Sequence, residues 1–306
     1  MNTEYLSNEK ENEYIINISS ELVKNVVEFS KECTSEISDD LFSSYVNIYL
    51  NFKSCMDRMN GILSFFDINS YSNIVEIGSG IGSSCICTKA LSDANVFGVE
   101  PCQNSYSKLK ECIEILSQDN PSFPYNSVQC AGEDIPLVSD SIDFVYSLEV
   151  LEHVRDPYKV LQEIHRILKK GGKAYIATCN YDSFYEGHYK KFWNPFISPQ
   201  KNKDRYVSQG DSPIFFNDLN FITKKRIMDY VSRIGYTSIQ FDPKPIIDKN
   251  NAVLTKINCS EDVKKILTTY KNKRPTTLAR LIQAPKISNF LKRFNREYKL
   301  YFLLTK

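Results

Sequence analysis

The chain has 306 residues, of which 42% are hydrophobic and 25% are charged, values ordinary for a soluble globular protein. Its net charge of +1 argues against a dedicated nucleic-acid binder, which normally carries a clear basic excess. The N-terminal region is acidic and polar, so we expect no signal peptide, no membrane span and a cytoplasmic location. The nine cysteines form no C-x-x-C pair, which favours reduced, structural thiols.

The first predicted elements are helices between residues 19 and 66. Apolar residues recur there at near-helical spacing, and Asp39 and Asp40 can cap a second helix. Residues 54–66 are expected to form the helix that leads into the next element. An apolar stripe of this kind most often packs against a core.

A strand, a tight turn and a helix are predicted from residue 73 onward. Residues 73–77 are apolar and rich in β-branched types, and Gly78, Gly80 and Gly82 follow at once. Glycines at such a turn permit positive φ and a close approach of the backbone to a ligand. Glu100 ends the next strand, about twenty residues on, where a carboxylate can bridge ribose hydroxyls. These features favour a nucleotide site.

The central section then alternates strands with helices. Strands are predicted at residues 94–100, 127–131, 142–146 and 173–178, and helices at 81–91, 103–116 and 157–168. Regular alternation of this kind predicts a parallel sheet with helices on both faces. In such a sheet, ligands bind beyond the carboxyl ends of the strands. Motifs that are distant in the sequence are therefore expected to converge.

Two further segments, residues 131–136 and 141–154, follow the glycine loop. With them the chain resembles the class I S-adenosylmethionine-dependent methyltransferases, which carry E-x-G-x-G, an acid at the end of strand two and E-x-x-E-H after strand four. The resemblance covers roughly residues 73–180. It implies an α/β fold with a Rossmann-like, doubly wound, seven-stranded sheet, mostly parallel with an antiparallel last strand. A Rossmann-like nicotinamide enzyme is the alternative, because the loop also approximates a dinucleotide fingerprint.

The resemblance also implies which residues hold S-adenosylmethionine. The glycines would let the backbone contact the amino-acid end, Glu76 would face that end, and Glu100 would hold the ribose. Glu133 and Asp134 would lie beside the adenine, unless they form a solvated turn before Pro136. The full predicted cofactor set is Glu76, Gly78, Ser79, Gly80, Gly82, Glu100, Pro101, Glu133, Asp134, Ser147 and Leu148.

The E-x-x-E-H segment supplies the candidate catalytic residues, His153 and Glu149. A neutral histidine suits a general base near neutral pH, and methyl transfer to a hydroxyl or an ammonium group requires loss of a proton. The alternative is a structural histidine that ties this loop to a neighbour. The spacing also resembles the divalent-metal ligands of ubiquinone-biosynthesis and small-RNA O-methyltransferases. Glu149, Glu152 and His153 are therefore candidate metal ligands, and metal-assisted O-methylation is the less favoured hypothesis.

The resemblance divides the chain into an N-terminal helical cap, residues 1–66, and a methyltransferase domain, residues 67–306. The cap would cover the cofactor or form a homodimer contact. An aromatic segment, residues 181–220, is predicted to be a substrate lid, or alternatively a hydrophobic plug. A helical insertion is expected at about residues 243–297, before a last strand at 298–304. The candidate substrate residues in the lid are Tyr181, Tyr185, His188 and Trp193.

The sequence therefore predicts an S-adenosylmethionine-dependent methyltransferase that acts on an oxygen or nitrogen of a small molecule. Lysines in the lid segment would suit an acidic acceptor, although such charges are more often solvated surface. No nucleic-acid partner is expected. A hypothesis from another class is a non-catalytic, cofactor-binding subunit that regulates a partner through the N-terminal helices.

Overall fold

The computed structural model describes residues 13–34, 39–66, 68, 72–103, 106–217, 219–243, 253–270, 280, 284–292, 294 and 296–306. The strands in chain order are β1 Tyr14–Asn17, β2 Asn73–Ile77, β3 Asn95–Val99, β4 Asn126–Val128, β5 Ile142–Leu148, β6 Leu168–Cys179, β7 Tyr185–Glu186, β8 Lys191–Phe192, β9 Ser238–Phe241, β10 Thr255–Asn258 and β11 Lys299–Thr305. The helices are α1 Ser20–Thr34, α2 Asp39–Leu50, α3 Phe52–Phe65, α4 Ser83–Leu91, α5 Leu109–Asp119, α6 Pro157–Ile167, α7 Pro199–Ser208, α8 Ile214–Asn217, α9 Lys224–Ile234, α10 Glu261–Thr269 and α11 Pro285–Lys292.

A seven-stranded sheet with the order β4-β3-β2-β5-β6-β11-β9 forms the centre of the molecule. The five strands from β4 to β6 are parallel to their neighbours, whereas β11 runs antiparallel to both β6 and β9. The predicted fold class is confirmed, including the antiparallel last strand, which lies between two earlier strands. Strand order reverses at β2, so the glycine loop lies at the topological switch point, where open α/β sheets bind ligands.

The two faces of this sheet are covered by separate hydrophobic clusters. Ile74 of β2 belongs to the cluster that includes α1, α3 and α4, and its neighbour Val75 belongs to the cluster that includes α6 and α9. Successive side chains of a strand point to opposite faces, so the continuous apolar run of β2 is what a strand buried on both faces needs.

The N-terminal helices pack inward. Leu22, Val26 and Phe29 of α1 are fully buried, as are Met56 and Met59 of α3. The predicted helical character of residues 19–66 is thus present in the described part, and its main apolar stripe is used within the chain. Among the described residues, no helix is long and apolar enough to cross a membrane.

A small parallel sheet was not predicted from the sequence. Strand β1 pairs with β10 from Tyr14↔Thr255 to Asn17↔Asn258. Four-residue strands carry too little periodic signal to be recognised alone. This pairing joins the predicted cap, residues 1–66, to the predicted insertion. In its described part, the helical insertion expected at about 243–297 contains α10 and α11 as well as β10, and residues 244–252, 271–279 and 281–283 lie outside that part. The division of the chain at residue 66 stays a prediction.

Candidate active site

Three glycines shape the loop between β2 and α4. Gly78, Gly80 and Gly82 have φ angles of 74°, 55° and 89°, a region that residues with a Cβ rarely adopt. A Cβ on Gly78 would lie 2.3 Å from Cγ2 of Val150. The backbone N–H groups of Gly78 and Ser79 donate to the carbonyl oxygen of Val99, at 2.8 and 3.1 Å. The loop is therefore pinned to the carboxyl end of β3.

That anchoring brings Glu100 to the loop. Its carboxylate accepts the backbone N–H of Gly80 at 2.9 Å, and the side chain is buried. Burial raises the pKa of Glu100 to about 7, against the opposing effect of backbone hydrogen bonds from Gly80 and Cys102. Pro101 follows directly and is half-buried. A buried acid with a raised pKa at this edge is typical of a ligand site.

The hydroxyl group of Ser79, between the first two glycines, indicates that the loop suits a polar ligand. Its hydroxyl oxygen is buried, and none of the described residues hydrogen-bonds to it. Buried polar groups without a partner are rare and need an explanation. A polar ligand held on this loop would satisfy the hydroxyl, so the loop fits the amino-acid end of S-adenosylmethionine.

Glu76 lies beneath the loop. Its carboxylate accepts hydrogen bonds from the thiol of Cys85 at 3.1 Å and from the hydroxyl of Tyr146 at 3.3 Å. Burial raises its pKa to about 7. The side chain thus connects β2 with α4 and β5. Its predicted contact with the amino-acid end of the cofactor stays a prediction.

The two acids expected beside the adenine have different surroundings. Glu133 is buried, and its Oε1 accepts the backbone N–H groups of Arg155 and Asp156 at 2.8 and 3.1 Å. Asp134 is exposed within a turn closed by its own N–H on the carbonyl of Ala131. Glu133 therefore ties together the loops after β4 and β5, and Asp134 resembles the solvated turn considered as the alternative.

Strand β5 ends with Ser147 and Leu148; both pair with β6, and Ser147 also pairs with β2. Glu149 follows with a φ of 60°, an uncommon value for a residue with a Cβ. Its Oε1 lies 3.0 Å from Nζ of Lys299 on the antiparallel strand β11. The sequence did not point to Lys299, because only the assembled sheet brings β11 beside β6.

Glu152 holds the same turn onto the end of β6. Its side chain is fully buried, Oε2 accepts the hydroxyl of Thr178 at 2.7 Å, and Oε1 accepts the N–H of Cys179 at 3.3 Å. Burial raises the pKa of Glu152, but the neighbouring imidazoles of His153 and His188 outweigh it and the net shift is downward. A buried carboxylate with these partners fixes the position of His153.

His153 faces a second histidine from the lid segment. The Nε2 atoms of His153 and His188 are 3.1 Å apart, and the two rings are nearly perpendicular at 88°. Nδ1 of His188 lies 2.6 Å from Oε1 of Glu186, whose other oxygen accepts the N–H of Tyr189 at 2.6 Å. Burial lowers the pKa of His188, but Glu186 outweighs it and the net shift is upward. Glu186 was missed from the sequence, because its hairpin, β7 and β8, is only two residues long on each side.

The other candidate substrate residues are packed together or against neighbours. Tyr181, Tyr185 and Trp193 are buried, and the indole N–H of Trp193 donates to the carbonyl of Tyr181 at 3.0 Å. Tyr185 packs edge-on against Tyr298, with ring centroids 4.9 Å apart. This packing favours the alternative of a hydrophobic plug for those three residues, whereas His188 reaches the turn after β5.

The predicted metal set, Glu149, Glu152 and His153, is not brought together as a set. Among the described residues, the only three side chains whose ligand atoms lie within 4.8 Å of one another are those of Glu152, Cys179 and His188. Glu149 is engaged with Lys299 instead. His153 lies outside this trio, although its Nε2 is 3.1 Å from Nε2 of His188.

Residues 75–176, which span β2 to most of β6, match the family model described as "Methyltransferase domain". The chain carries a methyltransferase domain. The predictions of a class I methyltransferase and of S-adenosylmethionine as its cofactor are confirmed at the level of this domain.

The relatives match only part of this chain. An uncharacterised protein of Methanocaldococcus jannaschii is 30% identical over 109 residues, covering 36% of this chain and 45% of that protein. The ubiquinone biosynthesis O-methyltransferase of Paracidovorax citrulli is 30% identical over 109 residues, 35% of this chain and 43% of that enzyme. Coverage of the first three curated relatives is 45%, 58% and 58%, so the chain spans about half their length.

Among solved structures, a Thermotoga maritima S-adenosylmethionine-dependent methyltransferase, described as a possible histamine N-methyltransferase, is 21% identical with a TM-score of 0.42. The alignment covers 66% of this chain and 82% of that chain.

Proposed function

We propose that the chain is an S-adenosylmethionine-dependent methyltransferase that acts on an oxygen or nitrogen of a small molecule. One observation carries this proposal. The glycine loop and Glu100 lie at the carboxyl ends of β2 and β3, and the turn with Glu149 and His153 leaves the carboxyl end of β5, in the same sheet. A cofactor on the loop and an acceptor at the turn would therefore be neighbours.

On the cofactor side, the chain would bind S-adenosylmethionine, which has no phosphate groups. Because the N–H groups of Gly78, Ser79 and Gly80 already donate to Val99 and Glu100, the backbone carbonyl groups of the loop and the buried Ser79 hydroxyl would hold the amino-acid end. Glu100 would accept hydrogen bonds from the two ribose hydroxyls. When bound, S-adenosylmethionine supplies an electrophilic methyl group on a sulfonium. Because it is a cation, the nearby carboxylates also favour its binding.

On the acceptor side, His153 would take the proton that the acceptor loses. Glu152 positions the turn that carries His153, and His188 contacts its ring from the lid segment. The lid lysines do not support a preference for an acidic acceptor, since Lys191 is paired with Asp211 at 2.5 Å and Lys190 donates to Ser44 at 2.6 Å.

Calorimetric titration with S-adenosylmethionine, S-adenosylhomocysteine and NAD tests the cofactor assignment. We expect saturable binding of the first two ligands, no binding of NAD, and loss of binding in Glu100→Ala. The temperature of thermal unfolding should rise only with ligands that bind the native state. Stabilisation by NAD instead would support the nicotinamide alternative, and no binding by a folded wild type would contradict the proposal.

A second candidate, metal-assisted O-methylation, is favoured by the geometry of the histidine pair. Nε2 of His188 lies 3.1 Å from Nε2 of His153 and belongs to the trio with Glu152 and Cys179, and imidazole and carboxylate groups are ligands that a divalent cation can bind. A divalent cation lowers the pKa of an acceptor hydroxyl. His188 and Glu152 would hold it, with Nε2 of His153 beside His188.

The chain has three histidines, which makes this candidate simple to test. Mn²⁺ added to protein labelled with ¹⁵N-histidine should broaden the ring signals of His153 and His188 at low stoichiometry. His165 packs against Tyr236 on another part of the molecule and is the internal control. Equal broadening of all three histidines, or of none, would exclude a specific site at the pair.

A further inference from the structure

The lid segment contributes a carboxylate that neither the glycine loop nor the E-x-x-E-H turn supplies. Glu186 is 1% exposed, and its side chain is completely enclosed. Three donors surround it: Nδ1 of His188 at 2.6 Å, the backbone N–H of Tyr189 at 2.6 Å and the hydroxyl of Tyr181 at 3.2 Å. Every hydrogen bond in this set runs toward the carboxylate. Such an arrangement orients a neighbouring ring rather than merely filling space.

The hydrogen-bonding pattern determines which nitrogen of His188 carries the proton. The backbone N–H of Tyr189 can only donate, so Oε2 of Glu186 accepts it. Oε1 accepts from Nδ1 of His188, which therefore bears hydrogen. In the neutral ring Nε2 is then left as an acceptor, and this is the atom that lies 3.1 Å from His153.

We propose that Glu186 is a positioning residue that holds His188 in the Nδ1–H tautomer and directs Nε2 toward His153. The inference rests on the proposed function only in assigning the histidine pair to the acceptor side. It applies to both chemistries considered above. For a base, a fixed His188 orients the imidazole of His153. For a cation, the same carboxylate would present the Nε2 lone pair as a ligand.

The local fold explains why the carboxylate stays in place. Glu186 is in the hairpin of β7 and β8, where it pairs with Lys191. The hydroxyl of Ser183 bonds to the backbone of Tyr185, and Trp193 donates its backbone N–H to the carbonyl of Phe184. The carboxylate is thus mounted on a backbone with its own hydrogen bonds. The protein itself supplies the hydrogen bonds to this side chain.

The variant Glu186→Gln distinguishes a positioning role from simple packing. The side chain keeps its size, but an NH₂ donor replaces one of the two acceptor oxygens. An amide has one oxygen and one NH₂ group, so Glu186→Gln cannot place an acceptor at both the Oε1 position facing His188 Nδ1–H and the Oε2 position facing Tyr189 N–H. If the oxygen keeps the backbone N–H, the NH₂ group faces Nδ1. His188 must then move its proton to Nε2 or turn away.

Long-range ¹⁵N–¹H NMR on histidine-labelled protein tests the proposal directly, with a His165→Gln variant to assign the third ring. In wild type we expect His188 as the Nδ1–H tautomer, with a slowly exchanging, downfield Nδ1 proton. In Glu186→Gln we expect loss of that proton signal and a shift toward the Nε2–H tautomer. Glu261→Gln, an exposed acid paired with Lys264, should leave the spectrum of His188 unchanged.

An Nε2–H or rapidly averaging tautomer of His188 in wild type would overturn the proposal. So would an unchanged His188 spectrum in a folded Glu186→Gln variant. The wild-type spectrum decides the question even if the variant fails to fold. Calorimetry with S-adenosylhomocysteine is a separate readout. Absence of binding alongside the Nδ1–H tautomer would contradict the proposed function and leave the role of Glu186 intact.

Discussion

The candidate site has two halves of different construction. The cofactor half, residues 78–82 with Glu100, is built mainly from backbone: three glycines at positive φ and N–H groups donated to Val99 and Glu100. The acceptor half is the turn from Glu149 to His153 with Glu186 and His188. It is built from side chains on two separate segments, and Glu152 of the turn is also bound by Thr178 of β6. Backbone geometry depends on local sequence, whereas the side-chain network depends on the whole fold. The two halves should therefore fail in different ways when they are changed.

The largest effect is expected from a substitution that adds a methyl group to the cofactor half. Gly78→Ala combines left-handed backbone with a Cβ only 2.3 Å from Val150, and should lower the free energy of unfolding by about 2–5 kcal/mol. It should also abolish binding of S-adenosylhomocysteine. Chemical denaturation and calorimetry measure both effects.

Gly171→Ala is the matched control for this substitution. Gly171 has a similar φ of 79°, but no atom lies within 4 Å of an added Cβ. Backbone strain alone should cost about 1–2 kcal/mol there and leave ligand binding intact. Equal effects of the two substitutions would show that the contact with Val150 does not shape the loop.

A hydrogen-bond deletion in the acceptor half should destabilise the fold and spare cofactor binding. Thr178→Val removes the donor at 2.7 Å from the buried carboxylate of Glu152, a charged bond worth about 1.5–3 kcal/mol. Thr237→Val, which removes an exposed bond to the carbonyl of Thr305, is the control and should have a smaller effect. A loss of S-adenosylhomocysteine affinity in folded Thr178→Val would mean that the halves are not separable.

The pH dependence of cofactor binding should report Glu100. Its pKa of about 7 means that the carboxyl group is protonated below that pH, whereas accepting two ribose hydroxyls requires the carboxylate. Binding should therefore release a proton, and affinity should rise by up to about tenfold per pH unit below pH 7 and level off above it. Calorimetry in buffers of different ionisation enthalpy measures the proton release. Glu76, also with a pKa of about 7, titrates in the same range, so persistence of the full slope in Glu100→Gln would assign it elsewhere.

The smallest effect is expected at Glu133. Since Oε1 of Glu133 serves two backbone N–H groups, Glu133→Gln keeps an acceptor there and should cost no more than about 1 kcal/mol of stability. Affinity for S-adenosylmethionine should change by less than about threefold. A much larger loss of affinity would support the predicted adenine contact of this residue.

The same contrast explains how far sequence alone could reach. The glycine spacing and the alternating strands specify the cofactor half and the parallel sheet, because each is encoded within about ten neighbouring residues. Glu186 and Lys299 could not be recognised, since a two-residue strand has no period and the neighbour of β11 is set by topology. His153 and His188 were each identified as candidates, but their contact across 35 residues of sequence was not predicted. The strands β1 and β10 were missed for the same reason.

The most direct test is whether the two halves form one site. ¹⁵N-histidine spectra should be recorded before and after saturation with S-adenosylhomocysteine, with saturation verified by calorimetry. If the cofactor lies on the glycine loop beside the acceptor half, the signals of His153 and His188 should shift while those of His165 stay fixed. Saturation that leaves His153 and His188 unchanged would contradict the account, because the ligand would then bind away from the histidine pair.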